Sequence, residues 1–177
     1  NTYHNVSFAG NGTLTVNDTY NSVIFAKNGN TGSGNTINNL TFSPGYTYTL
    51  GSTLTITPSG TINATGNGGF PIRIQSSSPG TPANIFKSSG LICLDYVRIS
   101  DNHASGGAIF NAGLSPARSL DMGGNSGWLF TGGCLALPIH IMEFTARKNA
   151  NGTIQVNWKT EDETDIAYYI IERSYDG

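Results

Sequence analysis

Residues 40–74 read LTFSPGYTYTLGSTLTITPSGTINATGNGGFPIRI, and the rhythm of this stretch decides the fold. Apolar pairs flank one outward residue in Leu40-Thr41-Phe42, Leu54-Thr55-Ile56 and Ile72-Arg73-Ile74. Alternation over so short a run marks a half-buried β-strand. Gly66-Asn67-Gly68-Gly69 lies between two of these runs, and Gly and Asn accept positive φ cheaply, so the cluster reads as a corner. The texture extends both ways. Leu14-Thr15-Val16 and Val23-Ile24-Phe25 precede the stretch, and an apolar run from Leu94 to Ile99 follows it. Asn28-Gly29-Asn30 and Gly32-Ser33-Gly34-Asn35 are further corners. No convincing helical periodicity occurs, so the chain is all-β.

From Leu40 to Leu54, Ile72 and Leu94 the steps are 14, 18 and 22 residues. An up-and-down sandwich or a jelly roll could space its strands this way. A parallel β-solenoid fits better, since each coil lays a short apolar strand on the last and Gly/Asn corners join the faces. Leu40/Phe42, Leu54/Ile56, Ile72/Ile74 and Leu94 are then expected to stack as inward ladders of one parallel sheet. Thr and Asn would form polar ladders outside.

The 177 residues give room for one domain and a fraction. Charged residues are 11% and the net charge is -2, which argues against a nucleic-acid partner, since backbone binding needs clustered Lys and Arg. No apolar run is long enough to span a bilayer. Nine charges fall in residues 1–137 and eleven in the last forty, with no Glu before Glu143. This shift, at Leu137-Pro138, reads as a domain boundary. The expected division is a solenoid over 1–135, a linker over 136–138 and a second module over 139–177. In the second module Ile154, Val156 and Trp158 alternate with polar residues as a half-buried strand, and Tyr168 to Arg173 forms another. Two or three strands do not close a sandwich, so the module is expected to be incomplete.

Several segments resemble a group of secreted, right-handed β-helix surface proteins of Bacteroidota-type bacteria. They are Ile72 through Ala83, Leu94 through Asp101 with Ala104-Ser105-Gly106-Gly107, and Gly124 through Phe130. Phe144-Thr145-Ala146, Val156-Asn157-Trp158-Lys159-Thr160 and Ile171-Glu172-Arg173-Ser174 resemble the start of a fibronectin-III-like module that commonly precedes a type IX secretion sorting domain. The resemblance covers most of 35–177. It implies a right-handed parallel β-helix, then a partial fibronectin-III-like β-sandwich, in a secreted or cell-surface protein. It carries over no catalytic residue.

The residues themselves point to little chemistry. Cys93 and Cys134, with His4, His103 and His140, lack metal-ligand spacing. Asp18 with Asn17 and Asn21, or Asp101 with Asn102, could offer oxygens to calcium. Polar corners facing water are the favoured reading, and no cofactor is assigned. Asp95, Arg98 and Asp101 form the one candidate catalytic group in the solenoid, yet alternation sends Asp95 and Arg98 to opposite faces. Glu161, Asp162, Glu163 and Asp165 read as a solvated loop. Tyr46, Tyr48 and Phe70, aromatics in Asn/Thr-rich surroundings, are the candidates for stacking on a glycan. Trp128 is expected to cover the end of the solenoid. Cys93 lies between Ile92 and Leu94, so its thiol faces outward if those two face the core. In an exported chain it is expected to form a disulfide with Cys134.

The favoured function is a non-enzymatic structural or adhesive segment of a secreted surface protein. One alternative is a glycan-binding or polysaccharide-degrading β-helix. Another is a secretion substrate held by its export machinery. Extracellular glycans, other surface proteins and that machinery are the expected partners. A flat Thr/Asn surface would favour the first reading, and a groove lined by acids or exposed aromatics the second.

Overall fold

The computed structural model describes residues 2–113, 118–130 and 140–161. These residues contain no helix, and up to residue 130 they form a parallel β-solenoid of about 6 turns. The first four coils carry two strands each. They are β1 (Thr2–Phe8) and β2 (Gly12–Thr13), β3 (Thr19–Phe25) and β4 (Gly29–Asn30), β5 (Asn35–Phe42) and β6 (Thr47–Leu50), then β7 (Thr53–Ala64) and β8 (Ile72–Ser76). The fifth and sixth coils carry three: β9 (Ala83–Phe86), β10 (Leu91–Cys93) and β11 (Val97–Ser100), followed by β12 (Asn102–Ser105), β13 (Ile109–Asn111) and β14 (Leu120–Asp121). β15 (Trp128–Leu129) starts another coil. The first sheet is β1-β3-β5-β7-β9-β12, the second β2-β4-β6-β8-β11-β14, and the third β10-β13-β15.

The register exposes a repeat that the steps between leucines conceal. Thr2 pairs with Thr19 and Thr19 with Thr36, a step of 17 residues each time. Thr2 through Phe8, Thr19 through Phe25 and Thr36 through Phe42 share Thr at the first position and apolar residues at the second, fifth and seventh. Val6, Val23, Leu40 and Ile62 stand in one column, and Phe8, Phe25, Phe42 and Ala64 in the next. The Phe8 and Phe25 rings stack with centroids 5.0 Å apart. Phe42 stacks instead on Tyr48, at 3.9 Å. In the first two coils Gly12 and Gly29 lie against the Phe8 and Phe25 rings, where a Cβ would collide; in the third, Tyr48 stands in register with Gly29.

The single ladder expected for Leu40/Phe42, Leu54/Ile56, Ile72/Ile74 and Leu94 is corrected by this register. Leu54 and Ile56 face Asn35 and Ile37, while Leu40 and Phe42 face Ile62 and Ala64 further along β7. Ile72 and Ile74 belong to the second sheet, opposite Val97 and Ile99. Leu94 lies between β10 and β11. Each coil visits two or three sheets, so successive apolar runs are often successive faces of one coil. All seven residues are buried, each worth about 1.5–3 kcal/mol relative to exposure.

Coil lengths vary because loops and a bulge are inserted. Along β5 and β7 the offset is 19 at Asn35–Leu54 and 22 at Leu40–Ile62, so three extra residues are extruded near Pro58. Extrusion leaves carbonyls outside the ladder. Lys87, itself buried, follows β9 and reaches back to the bulge of the preceding coil. Its Nζ donates to the carbonyls of Thr57 and Gly60, each at 3.0 Å, and of Pro58 at 2.5 Å. One ammonium has three donors, and here all three are used. Burial pushes the Lys87 pKa below its ordinary value.

Corners of successive coils repeat a left-handed residue. Asn17 has φ 59° and Gly34 beneath it 74°, and the Asn17 Oδ1 lies 2.1 Å from where a Gly34 Cβ would stand. Asn35 supports the same corner from inside. It is fully buried, its Oδ1 accepts from the Asp18 amide at 2.8 Å, and its Nδ2 donates to the Thr15 and Thr31 carbonyls at 2.6 Å each. Trp128 continues an inward column from Ile92 and Phe110, ends it among the described residues, and meets the Phe110 ring edge-on at 5.3 Å.

Two compact units divide the chain, Asn1–Cys134 and Leu135–Gly177. In the second, β16 (His140–Lys148) and β17 (Ile154–Glu161) form an antiparallel pair with Phe144 opposite Trp158. The Asn149 amide bonds to the Thr153 carbonyl at 2.8 Å, closing the turn at Gly152. This ribbon is what the described residues contain of the expected sandwich. Tyr168 to Arg173 and the linker at 136–138 lie outside the described residues.

Candidate functional site

The outward residues of the first sheet form columns one strand spacing, ~4.8 Å, apart. Thr19, Thr36 and Thr55 make one, and Asn5, Ser22, Asn39 and Thr61 another. Many of these groups bond to the next coil. Asn21 Nδ2 donates to Asn5 Oδ1 at 3.1 Å, and Asn38 Nδ2 to Asn21 Oδ1 at 3.4 Å. The hydroxyls of Thr57, Thr61 and Ser105 donate to Asn38, Asn39 and Asn84 at 2.6, 3.0 and 2.6 Å. Side-chain ladders therefore run parallel to the backbone ladders, and the face is polar with few charges.

The outer face of the second sheet differs. In its first three coils a shallow groove is lined by Asn11, Thr13, Asn28, Asn30, Thr47 and Thr49. The Thr47 position continues in register to Arg73 and then Arg98, and the Thr49 position to Gln75 and Ser100. Arg73 and Arg98 are directly paired on adjacent strands, and both point outward because Ile72, Ile74, Val97 and Ile99 point in. Neither makes an ion pair among the described residues.

The solenoid's carboxylates are held elsewhere. Asp95 is buried and accepts from Arg118 Nη1 at 2.9 Å, while the guanidinium lies 5.2 Å from the Tyr96 ring centroid. Asp101 has φ 51°, and its Oδ2 accepts from the Gly80 amide at 3.0 Å. Asp121 Oδ1 accepts from the Gly123 amide at 2.9 Å and Asn125 Nδ2 at 2.6 Å. Asp18 takes a short hydrogen bond from the Thr15 hydroxyl, which chiefly holds its carboxyl below the ordinary range. Asp95, Arg98 and Asp101 are thus not brought together as a catalytic group. Arg118 is the partner that sequence spacing did not reveal. Asn21 bonds to Asn5 and Asn38 along the outer ladder. Among the described residues no three His, Cys, Asp or Glu side chains cluster.

The three aromatic candidates separate. Tyr48 is fully buried, and its hydroxyl donates to the Ser43 carbonyl at 2.9 Å, so its ring is core and its assignment as a glycan contact is corrected. The alternating strand carries it inward. Burial raises its pKa to about 12. Tyr46 is half-buried against the core. Phe70 is 64% exposed and packs over Gly45. Tyr46 and Phe70 remain the aromatics with surface on this part of the coil. Cys93 is half-buried in β10, between the buried Ile92 and Leu94, and is disulfide-bonded. Cys134, its expected partner, lies outside the described residues, as do Asp162, Glu163 and Asp165.

These features define the class of protein: a parallel β-solenoid with a continuous apolar core and outer faces laddered by short polar side chains. No protein-family model, curated protein or solved structure matches the chain.

Proposed function

We propose that this chain is a non-enzymatic structural and adhesive segment of a secreted cell-surface protein. One observation carries the reading. The exterior spends its polar side chains on coil-to-coil hydrogen bonds, Asn5–Asn21–Asn38–Thr57 above all. Such ladders stiffen a solenoid, whose coils otherwise meet only their neighbours. They also present a regular, wettable surface rather than an enclosed reaction site. On this reading the winding is right-handed, the β16–β17 ribbon begins a fibronectin-III-like module, and export follows the type IX route. The resemblance in sequence supports those three statements.

The experiment is incubation of the purified chain, with and without calcium, on a panel of neutral and acidic polysaccharides. Retention is measured beside release of reducing ends or unsaturated uronate. Binding without product is expected. Product release at a rate proportional to the protein added would overturn the non-enzymatic reading.

A further inference from the structure

Arg73 and Arg98 are paired in register on adjacent strands, on the open face of the second sheet. Like charges directly opposite on a sheet repel and destabilise the pair. The remedy within a fold is a carboxylate neighbour, yet Asp95 is bound to Arg118, and Asp101 and Asp121 bind corner amides. Elsewhere in the solenoid Lys87 is buried and its ammonium is hydrogen-bonded to three carbonyls. Arg73 is exposed and Arg98 half-buried, and the register sets Arg73 beside Thr47, next to a groove whose walls are amides and hydroxyls.

We propose that this face binds a carboxylate-bearing glycan chain, laid across the strands with its acidic groups on Arg73 and Arg98. The planar guanidinium fork matches a carboxylate bidentately. Strand spacing is ~4.8 Å, comparable with one sugar ring along an extended chain, so successive sugars meet successive coils. Gln75 and Ser100 flank the arginines in the adjacent column, and Thr47, Thr49, Asn28 and Asn30 continue both columns toward the first coils. Amide and hydroxyl groups there can hydrogen-bond sugar hydroxyls. The inference rests on the adhesive reading above and names its ligand class.

The test is retention of the whole chain on immobilised polygalacturonate, dextran sulfate and neutral dextran, for wild type and for Arg73→Gln/Arg98→Gln. Wild type should bind polygalacturonate above the other two, and salt should weaken binding. The double variant should lose about tenfold or more in affinity, as two charge-assisted contacts disappear. Its melting temperature should equal or exceed wild type, because a repulsive pair is removed. A separate Thr36→Val variant on the first sheet should bind like wild type. Undiminished binding by the double variant, equal retention on neutral dextran, stronger retention on dextran sulfate, or no retention on polygalacturonate would each overturn the assignment. Cleavage of bound polymer would refute the non-enzymatic reading while leaving this site standing. Adhesion to other surfaces with no polygalacturonate binding would do the reverse.

Discussion

Lys87→Met should cost about 2–4 kcal/mol, and deleting Pro58, Ser59 and Gly60 together with it should return much of that loss. The Lys87 ammonium satisfies the carbonyls of Thr57, Pro58 and Gly60. Methionine fills a similar volume and donates nothing. Each buried carbonyl left bare costs about 1–3 kcal/mol. Gly60 is buried, Thr57 partly so, and Pro58 exposed. The first two therefore supply most of the loss, and water replaces the ammonium at the third. Deleting residues 58–60 brings the β5–β7 offset from 22 back to 19; it removes the Pro58 and Gly60 carbonyls altogether and lets that of Thr57 re-enter a regular ladder. In the deletion alone Lys87 is a buried cation without acceptors, and stability should fall again. The two changes should therefore be strongly non-additive, with a coupling of roughly 1–3 kcal/mol in the compensating direction. Urea unfolding of the four proteins at one pH measures it. Lys87→Met within about 0.5 kcal/mol of wild type, below the cost of even one bare buried carbonyl, would refute the reasoning. Additive effects would refute the claim that lysine and bulge form one device.

Asn35→Ala should lose about 2–4 kcal/mol, since the Asp18 amide and the Thr15 and Thr31 carbonyls all lose their partner; thermal unfolding reads it. Gly34→Ala should destabilise by at least about 1 kcal/mol, because its φ of 74° is left-handed and Asn17 Oδ1 occupies the Cβ position; the shift in urea midpoint checks it. Tyr48 has its folded pKa raised to about 12 from 10.0, so its contribution is fully present below pH 10 and is lost as pH rises toward 12. That loss should approach about 2–3 kcal/mol and vanish in Tyr48→Phe, as read by urea unfolding at successive alkaline pH values. If Cys93 pairs with Cys134, the denatured, unreduced chain should show no reactive thiol and the reduced chain two.

Solenoid architecture was legible because its signals are local. Alternation at Ile72-Arg73-Ile74 and glycine at the corners are consequences of one coil's backbone, and each survives when the coils differ in length. The assignment of runs to sheets was not legible by the same means. Leu54 looks like the successor of Leu40, yet its partner in β5 is Asn35. Distance between leucines mixes the step around a coil with the step up the stack. The marker that separates them was present in the threonines: Thr2, Thr19 and Thr36 each stand six residues before the Phe that ends their strand, and their equal steps give the coil length directly. Beyond the third coil the bulge at Pro58 and the added third sheet break the step, and no pattern within one coil announces how many residues an insertion contains.

The candidate site follows the same division. Parity within β11 sends Arg98 outward, since it needs only the neighbouring Val97 and Ile99 to be apolar, but it does not reach Asp95, which lies outside that strand across the left-handed Tyr96 with φ 51°. It cannot show that Arg73, 25 residues earlier, stands beside Arg98, because that proximity is a property of the register. Nor can it show that Asp95 is claimed by Arg118 from the following coil. Tyr48 failed for a related reason. Its flanking threonines suggest an exposed ring, but alternation with Leu50 sends it inward, where it stacks on Phe42 opposite the glycine of the coil before. In a solenoid, binding chemistry is assembled perpendicular to the chain, one residue per coil. A face becomes readable only when the coil lengths are known, and the paired arginines are visible as a site for that reason alone.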